Sequence, residues 1–153
     1  MSFLFTVVGD EPAQHVALDE LAGQLRAQIP PKKSRKPQLA KQSLTLPSQV
    51  GVAEALLVVR GHEEPHTHPE RDLIFSVLEG GGYVQLSGGR IEAPLGTTVL
   101  VPKGVCHAFH NTSPSDSVLL ATFSPGTPPQ SIPDPGQCAE PRHAPAHKHS
   151  SEK

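Results

Sequence analysis

The sequence has no apolar run approaching the roughly 18 residues that a membrane-crossing helix needs, so neither a transmembrane helix nor a membrane partner is expected. Excess charge is missing too. Thirteen Lys and Arg stand against 15 Asp and Glu, a formal net charge of −2 with His neutral. That balance gives no hint of a nucleic-acid partner. The stretch Met1 to Asp10 lacks the basic n-region and small-residue cleavage site of a secretory leader. Cysteine is reduced to Cys106 and Cys138. One falls among strand-like segments and the other in a proline-rich tail, so no disulfide framework is expected and a reducing cytoplasm is the expected location. There is no Gly-rich phosphate loop, no G-x-S-x-G elbow and no C-x-x-C pair. Apolar residues make up only 36% of the 153 residues, which places part of the chain outside any packed core.

Proline locates that part. Of 17 prolines, seven (Pro125, Pro128, Pro129, Pro133, Pro135, Pro141 and Pro145) follow Phe123. Residues 125–153 bury too little surface to offset the entropy of ordering them and are expected to be disordered. Three regions follow: 1–42, 43–124 and 125–153. In the first, Phe3, Phe5 and Val7 alternate as in a short strand. Val16, Leu18, Leu21, Leu25 and Ile29 recur at helical spacing over 15–29 until Pro30-Pro31 stops the run. So short a helix needs a partner surface, either the strand domain or a second subunit. Residues 30–42, with Lys32, Lys33, Arg35 and Lys36, read as a solvated basic linker.

From Ser43 the pattern changes to short strands: Val52 to Val59, Leu73 to Leu78, Tyr83 to Leu86, Ile91 to Ala93, Thr97 to Val101, Ala108 to His110 and Val118 to Phe123. Ser87-Gly88-Gly89-Arg90 reads as a two-residue hairpin turn centred on the glycines. Many short strands punctuated by Gly and Pro indicate an antiparallel sandwich or barrel.

Two clusters carry chemistry. His66-Thr67-His68 places two imidazoles two residues apart, on one face of an extended strand, where both can meet one metal ion. The stretch from Gly96 to Asn111 holds a β-branched strand, a corner at Pro102 and Gly104, and then His107 opening the next strand. Cys106 should face away from His107 as a buried structural thiol. His110 should face outward, and His62 lies at an exposed turn. His143, His147 and His149 sit in the tail.

Here the sequence resembles the cupin superfamily. Gly96, Pro102, Gly104, His107 and Asn111 match its second motif, G-x5-P-x-G-x2-H-x3-N, at every position. Gly61, His66, His68 and Gly80 serve the first motif, G-x5-H-x-H-x3,4-E-x6-G, with Gly61 one residue too close to His66. Val77 to Gly80, VLEG, also looks like the family. The resemblance covers roughly residues 43–124. It implies an all-β, cupin-type jelly-roll (double-stranded β-helix) barrel, here with a short N-terminal helix and a disordered C-terminal tail. It also implies one divalent transition metal held by three histidines and a glutamate.

The glutamate is where the sequence departs. Counting back from Gly80 puts its position at Leu73; counting forward from His68 puts it at Asp72, with Glu70 a further candidate. Two metal sites stay open: His66, His68 and His107 with Asp72 or Glu70, or the three histidines with water. Three-histidine sites of the latter kind occur in some cupin dioxygenases. Fe2+ is favoured, with Zn2+, Mn2+, Ni2+ or Cu2+ as alternatives. Phe75, Val77, Tyr83 and Phe109 are expected to wall the substrate pocket. The expected function is an iron-dioxygenase-like enzyme acting on a small organic molecule. The alternatives are a non-catalytic ligand- or metal-binding sensor and an isomerase or epimerase. Edge strands that need covering suggest a homodimer.

Overall fold

The computed structural model describes residues 17–31, 38–44, 52–125 and 136–138. The expected N-terminal strand, the basic residues Lys32, Lys33, Arg35 and Lys36, and the tail histidines lie outside these residues.

Among the described residues, one helix, α1 (Leu18–Arg26), precedes ten strands: β1 (Leu39–Ser43), β2 (Ala53–Val59), β3 (His66–Thr67), β4 (Asp72–Glu79), β5 (Gly81–Leu86), β6 (Gly89–Pro94), β7 (Thr98–Val101), β8 (His107–Asn111), β9 (Ser117–Ser124) and β10 (Gly136–Gln137). They form two five-stranded sheets, ordered β1-β2-β9-β4-β7 and β10-β3-β8-β5-β6. The sheets pack face to face as a jelly roll and are not hydrogen-bonded into a closed barrel, so the expected fold class holds but its closure does not.

The core lies between the sheets, where Val59, Phe75, Val77, Val84, Phe109 and Leu119 are buried together. The unbroken apolar run of β2 has a reason: both of its faces are covered. Ala53, Ala55 and Val59 face the core. Leu56 and Val58 face outward, under Leu21, Ala22 and Leu25 of α1. The helix partner is therefore the chain's own sheet. Asp19 and Glu20 in the first turn of α1 and Arg26 in its last complement the helix dipole.

Four expectations are corrected. Residues 39–42, read as linker, form β1 together with Ser43 and pair with β2 from Leu39↔Val59 to Ser43↔Ala55. The β5–β6 hairpin pairs Leu86 with Gly89, so its turn is Ser87-Gly88 and only Gly89 of the two glycines has positive φ, at 151°. Residues 136–138 of the tail are ordered on the second sheet, as β10 paired with His66 and Thr67. Finally, Cys106 is no free thiol: it is bonded to Cys138, with Cα atoms 6.0 Å apart. That pairing removes the free-thiol argument for a reducing compartment. Among the described residues, no helix is long and apolar enough to cross a membrane.

The second motif now has physical content. Gly104 adopts φ 78°, a left-handed conformation costly for other residues, and its N–H donates to His68 O at 2.9 Å. The corner before β8 is thereby tied to the histidine pair. Asn111 closes the other end of β8. Its Nδ2 donates to Arg60 O at 3.0 Å and Ser115 O at 2.9 Å, while Oδ1 accepts from Ser113 N at 3.0 Å and Ser117 Oγ at 2.7 Å.

Candidate metal centre

Antiparallel pairing builds the site. His66 of β3 stands directly opposite His107 of β8, and His68 follows two residues on, projecting to the same side. The rings converge, with centroids 5.0 Å apart for His66–His68, 4.3 Å for His66–His107 and 5.3 Å for His68–His107. One nitrogen from each lies within 4.8 Å of the other two, close enough for small ring rotations to place all three about 2.1 Å from one ion.

Hydrogen bonds select which nitrogens face inward. A carbonyl can only accept, so His66 Nδ1 donates to Glu64 O at 2.8 Å. Likewise His107 Nδ1 donates to Val105 O at 2.9 Å. Both Nε2 atoms are thereby left with lone pairs, the arrangement found in metal-ligating histidines. His107 is 3% exposed, and its Nε2 is buried without a hydrogen-bond partner. A buried, unpartnered lone pair is costly, and a metal ion would satisfy it. The donor set, neutral imidazole nitrogens, suits a transition metal.

The protonation states agree. Burial pushes His107 down to about 4, against the opposing hydrogen bond to Val105. Burial, followed by repulsion from His66 and His107, pushes His68 down to about 4. Burial also lowers His66. All three rings are therefore neutral near pH 7, with lone pairs available.

The histidines open into a cavity of about 530 Å³, within the usual range for a small-molecule site. Its wall is mainly apolar, including Leu57, Leu73, Phe75, Phe109, Leu119 and Phe123. Phe75 and Phe109 touch edge to face there, with centroids 6.1 Å apart. Val77 is buried in the core but does not line the cavity. Tyr83 is corrected: Val84 takes the inward position of β5, and Tyr83 stacks outside on His110 at 4.7 Å. His110 in turn stacks on His62 at 5.2 Å, so both histidines face outward, as expected.

Neither proposed carboxylate reaches the centre. β4 runs in regular register at its start, with Asp72↔Ser124 and Leu73↔Phe123, and its one irregularity falls between Val77 and Glu79. Leu73 therefore points inward and Asp72 outward, where Asp72 Oδ1 accepts from Lys103 N at 2.9 Å. Glu70 is exposed in the preceding turn. The carboxylate the structure does bring to the cavity is Glu63, with Oε2 3.5 Å from His66 Nε2 and a side chain 13% exposed. Burial raises Glu63 to about 7, against the pull of Lys41 and a main-chain hydrogen bond with Phe109. Lys41, on β1, also lines the cavity. Sequence reasoning missed both residues.

Comparison with known proteins agrees with this geometry. Residues 54–123 match the family model described as "Cupin domain". An uncharacterised protein of Aquifex aeolicus is 42% identical over 74 residues, covering 48% of this chain. The chain spans only 60% of that relative's length. A double-stranded β-helix protein from Klebsiella pneumoniae superposes with a TM-score of 0.59 at 15% identity, covering 76% of this chain and 93% of that one. KdgF from Halomonas sp. gives a TM-score of 0.53 at 22% identity, covering 62% and 87%. These two structural likenesses show the fold. With the motif residues from Gly96 to Asn111 in place around a three-histidine cluster, residues 54–123 are a cupin domain.

Proposed function

We propose that this cupin domain is a metal-dependent enzyme, of iron-dioxygenase-like type, acting on a small and largely apolar organic molecule. The observation that carries the reading is the buried, unpartnered Nε2 of His107 facing His66 and His68 at the end of an apolar cavity. When bound, a transition metal with three imidazole ligands supplies open coordination positions for a substrate and a second reactant. The chain's own residues do the rest. Val105 and Glu64 carbonyls hold two imidazoles in the tautomer that presents Nε2. Phe75, Phe109 and Phe123 exclude water and select an apolar body. Lys41 favours an anionic end on the substrate.

The test begins with metal content of the full-length chain by mass spectrometry, beside His107→Ala. One iron or other transition metal per chain, lost in the variant, is the expected result. Oxygen uptake with the loaded metal is then followed over a panel of small organic acids. Absence of bound metal after reconstitution would overturn the reading. Tight binding of one panel member without turnover would turn it into a ligand-binding cupin.

A homodimer belongs to the same proposal. Ile74 and Leu100, paired across β4 and β7, remain 45% and 60% exposed on sheet surface that α1 does not cover. Light scattering at micromolar concentration should give twice the chain mass of 16.3 kDa, and a monomer would refute it.

A further inference from the structure

Glu63 lies three residues before the first histidine, outside the position the family's motif reserves for a carboxylate. We propose that Glu63 is the fourth ligand of this metal centre, reaching it from the segment before β3 rather than from β4. The inference rests on the reading of His66, His68 and His107 as metal ligands.

Three observations carry it. First, Glu63 Oε2 lies 3.5 Å from His66 Nε2, the very nitrogen that the His66–Glu64 hydrogen bond leaves as a lone pair. As a carboxylate, Glu63 meets that lone pair as one acceptor facing another, an arrangement that gains nothing by itself. A cation beside both satisfies both, and 3.5 Å is the separation of neighbouring ligands on an ion about 2.1–2.2 Å from each. Second, the backbone holds Glu63 there. Its N–H donates to Phe109 O at 2.9 Å, fastening it to β8 two residues from His107. The adjoining turn is fixed by the bridge His62↔His110 and by Asn111 N donating to Gly61 O at 2.9 Å. Third, the side chain is 13% exposed and faces a mainly apolar cavity. A buried carboxylate there needs a counter-charge. Lys41, the one cationic side chain lining the cavity among the described residues, is itself exposed on β1.

The rest of the site is consistent with a displaced ligand. The inward position at the start of β4 holds Leu73, 6% exposed against the core, and Asp72 is engaged with Lys103 N on the other face. No carboxylate enters from β4, and one enters from the opposite end of the ligand pair. The resulting pattern is Glu63-x-x-His66-x-His68 followed by His107.

Co2+ serves as the probe, because its visible bands change in position and intensity with coordination number and ligand type. Full-length protein is titrated with Co2+ as wild type, Glu63→Gln, Glu63→Asp and Glu70→Gln. Wild type is expected to bind one Co2+ per chain. Glu63→Gln should weaken binding at least about tenfold, the lower end of what loss of a supporting group costs at metal sites, and should alter the visible bands. Glu63→Asp, which keeps the charge on a shorter arm, should alter the bands and weaken binding less; it serves if the Gln variant does not fold. Glu70→Gln, which removes an exposed carboxylate two residues from His68, should change neither. Wild-type bands and affinity in both Glu63 variants would overturn the assignment while leaving the three-histidine centre standing. Weakened affinity with unchanged bands, or equal weakening by Glu70→Gln, would overturn it in favour of a general charge effect. Failure of the wild type to bind Co2+ would overturn the histidine centre itself.

Discussion

Asn111→Ala removes a side chain that touches neither the histidines nor the cavity, and it is expected to be among the most damaging single changes in the domain. The amide makes four hydrogen bonds, two as donor and two as acceptor, to Arg60 O, Ser115 O, Ser113 N and Ser117 Oγ. They join the end of β2, the end of β8 and the loop leading to β9. A typical hydrogen bond contributes about 1 kcal/mol net. The bond to Ser115 O is exposed and counts for little, which leaves about 3 kcal/mol from the other three. Ser117 Oγ, fully buried, still accepts from Gly81 N at 2.9 Å and turns its one proton from Asn111 Oδ1 to Gly81 O at 3.2 Å, so no large extra penalty arises there. Urea denaturation checks the figure. With a slope of about 1.5 kcal/mol per M for a small domain, the midpoint should fall by about 2 M. A fall below about 0.5 M would refute the view that this amide holds the end of β8. Asn111→Asp should be as harmful, because an oxygen replaces the NH2 group that faces two carbonyls.

Leu25→Ala, at a site with 0% exposure, should cost about 2–5 kcal/mol in denaturation. It should leave metal binding unchanged, since α1 lies on the far face of the first sheet; a lost metal site would contradict that separation. Reducing the Cys106–Cys138 bond frees β10 from the edge of β3. A bond of this kind typically contributes about 2–4 kcal/mol, so the reduced protein should melt earlier and its Thr67 amide should exchange faster; unchanged exchange would mean β10 holds on without the bond. Metal-free protein should lose stability on acidification. His68 and His107 fall from 6.5 to about 4 on folding, so the folded state binds fewer protons than the unfolded state between those values, and stability drops as pH falls through that window. Glu63, raised from 4.5 to about 7, works in the opposite sense. Two histidines against one carboxylate leave a net loss on the order of 2 kcal/mol from pH 6.5 to 4.5, to which the lowered His66 adds, read as a lower urea midpoint. A higher midpoint at pH 4.5 would refute the neutral-histidine assignment.

Most of the fold was legible because its signals are local. β-branched runs cut by Gly and Pro located seven of the ten strands, and helical spacing located α1. The three strands outside that set share a physical cause. β1 reads LAKQS, with burial intermediate along most of its length, so no alternation marks it. It is a strand because it completes the edge of β2, a tertiary effect that propensity does not carry. β3 and β10 have two residues each and exist only as pairings. Cys138 sits in composition that cannot fold alone and is held by its bond to Cys106, 32 residues earlier, beside the pairing of β10 with β3.

The centre divides the same way. Side-chain alternation along an extended chain made His66 and His68 co-facial, and the spacing from Gly96 to Asn111 delivered His107; both arguments need only neighbours in sequence. The carboxylate needed more. Alternation from inward-facing Phe75 and Val77 puts Leu73 inward and Asp72 outward, and the one irregularity of β4 lies at the other end of the strand. Glu63 precedes His66 by three residues, an odd spacing that on a continuous strand puts it on the opposite face. It reaches the site because residues 63–65 are not strand. The chain turns there between the His62 bridge and β3, with Glu63 N held by Phe109 O. A period-two reading fails wherever a ligand comes from the turn before a strand, and at such a position only the pairing partner, here β8, says which way a side chain points.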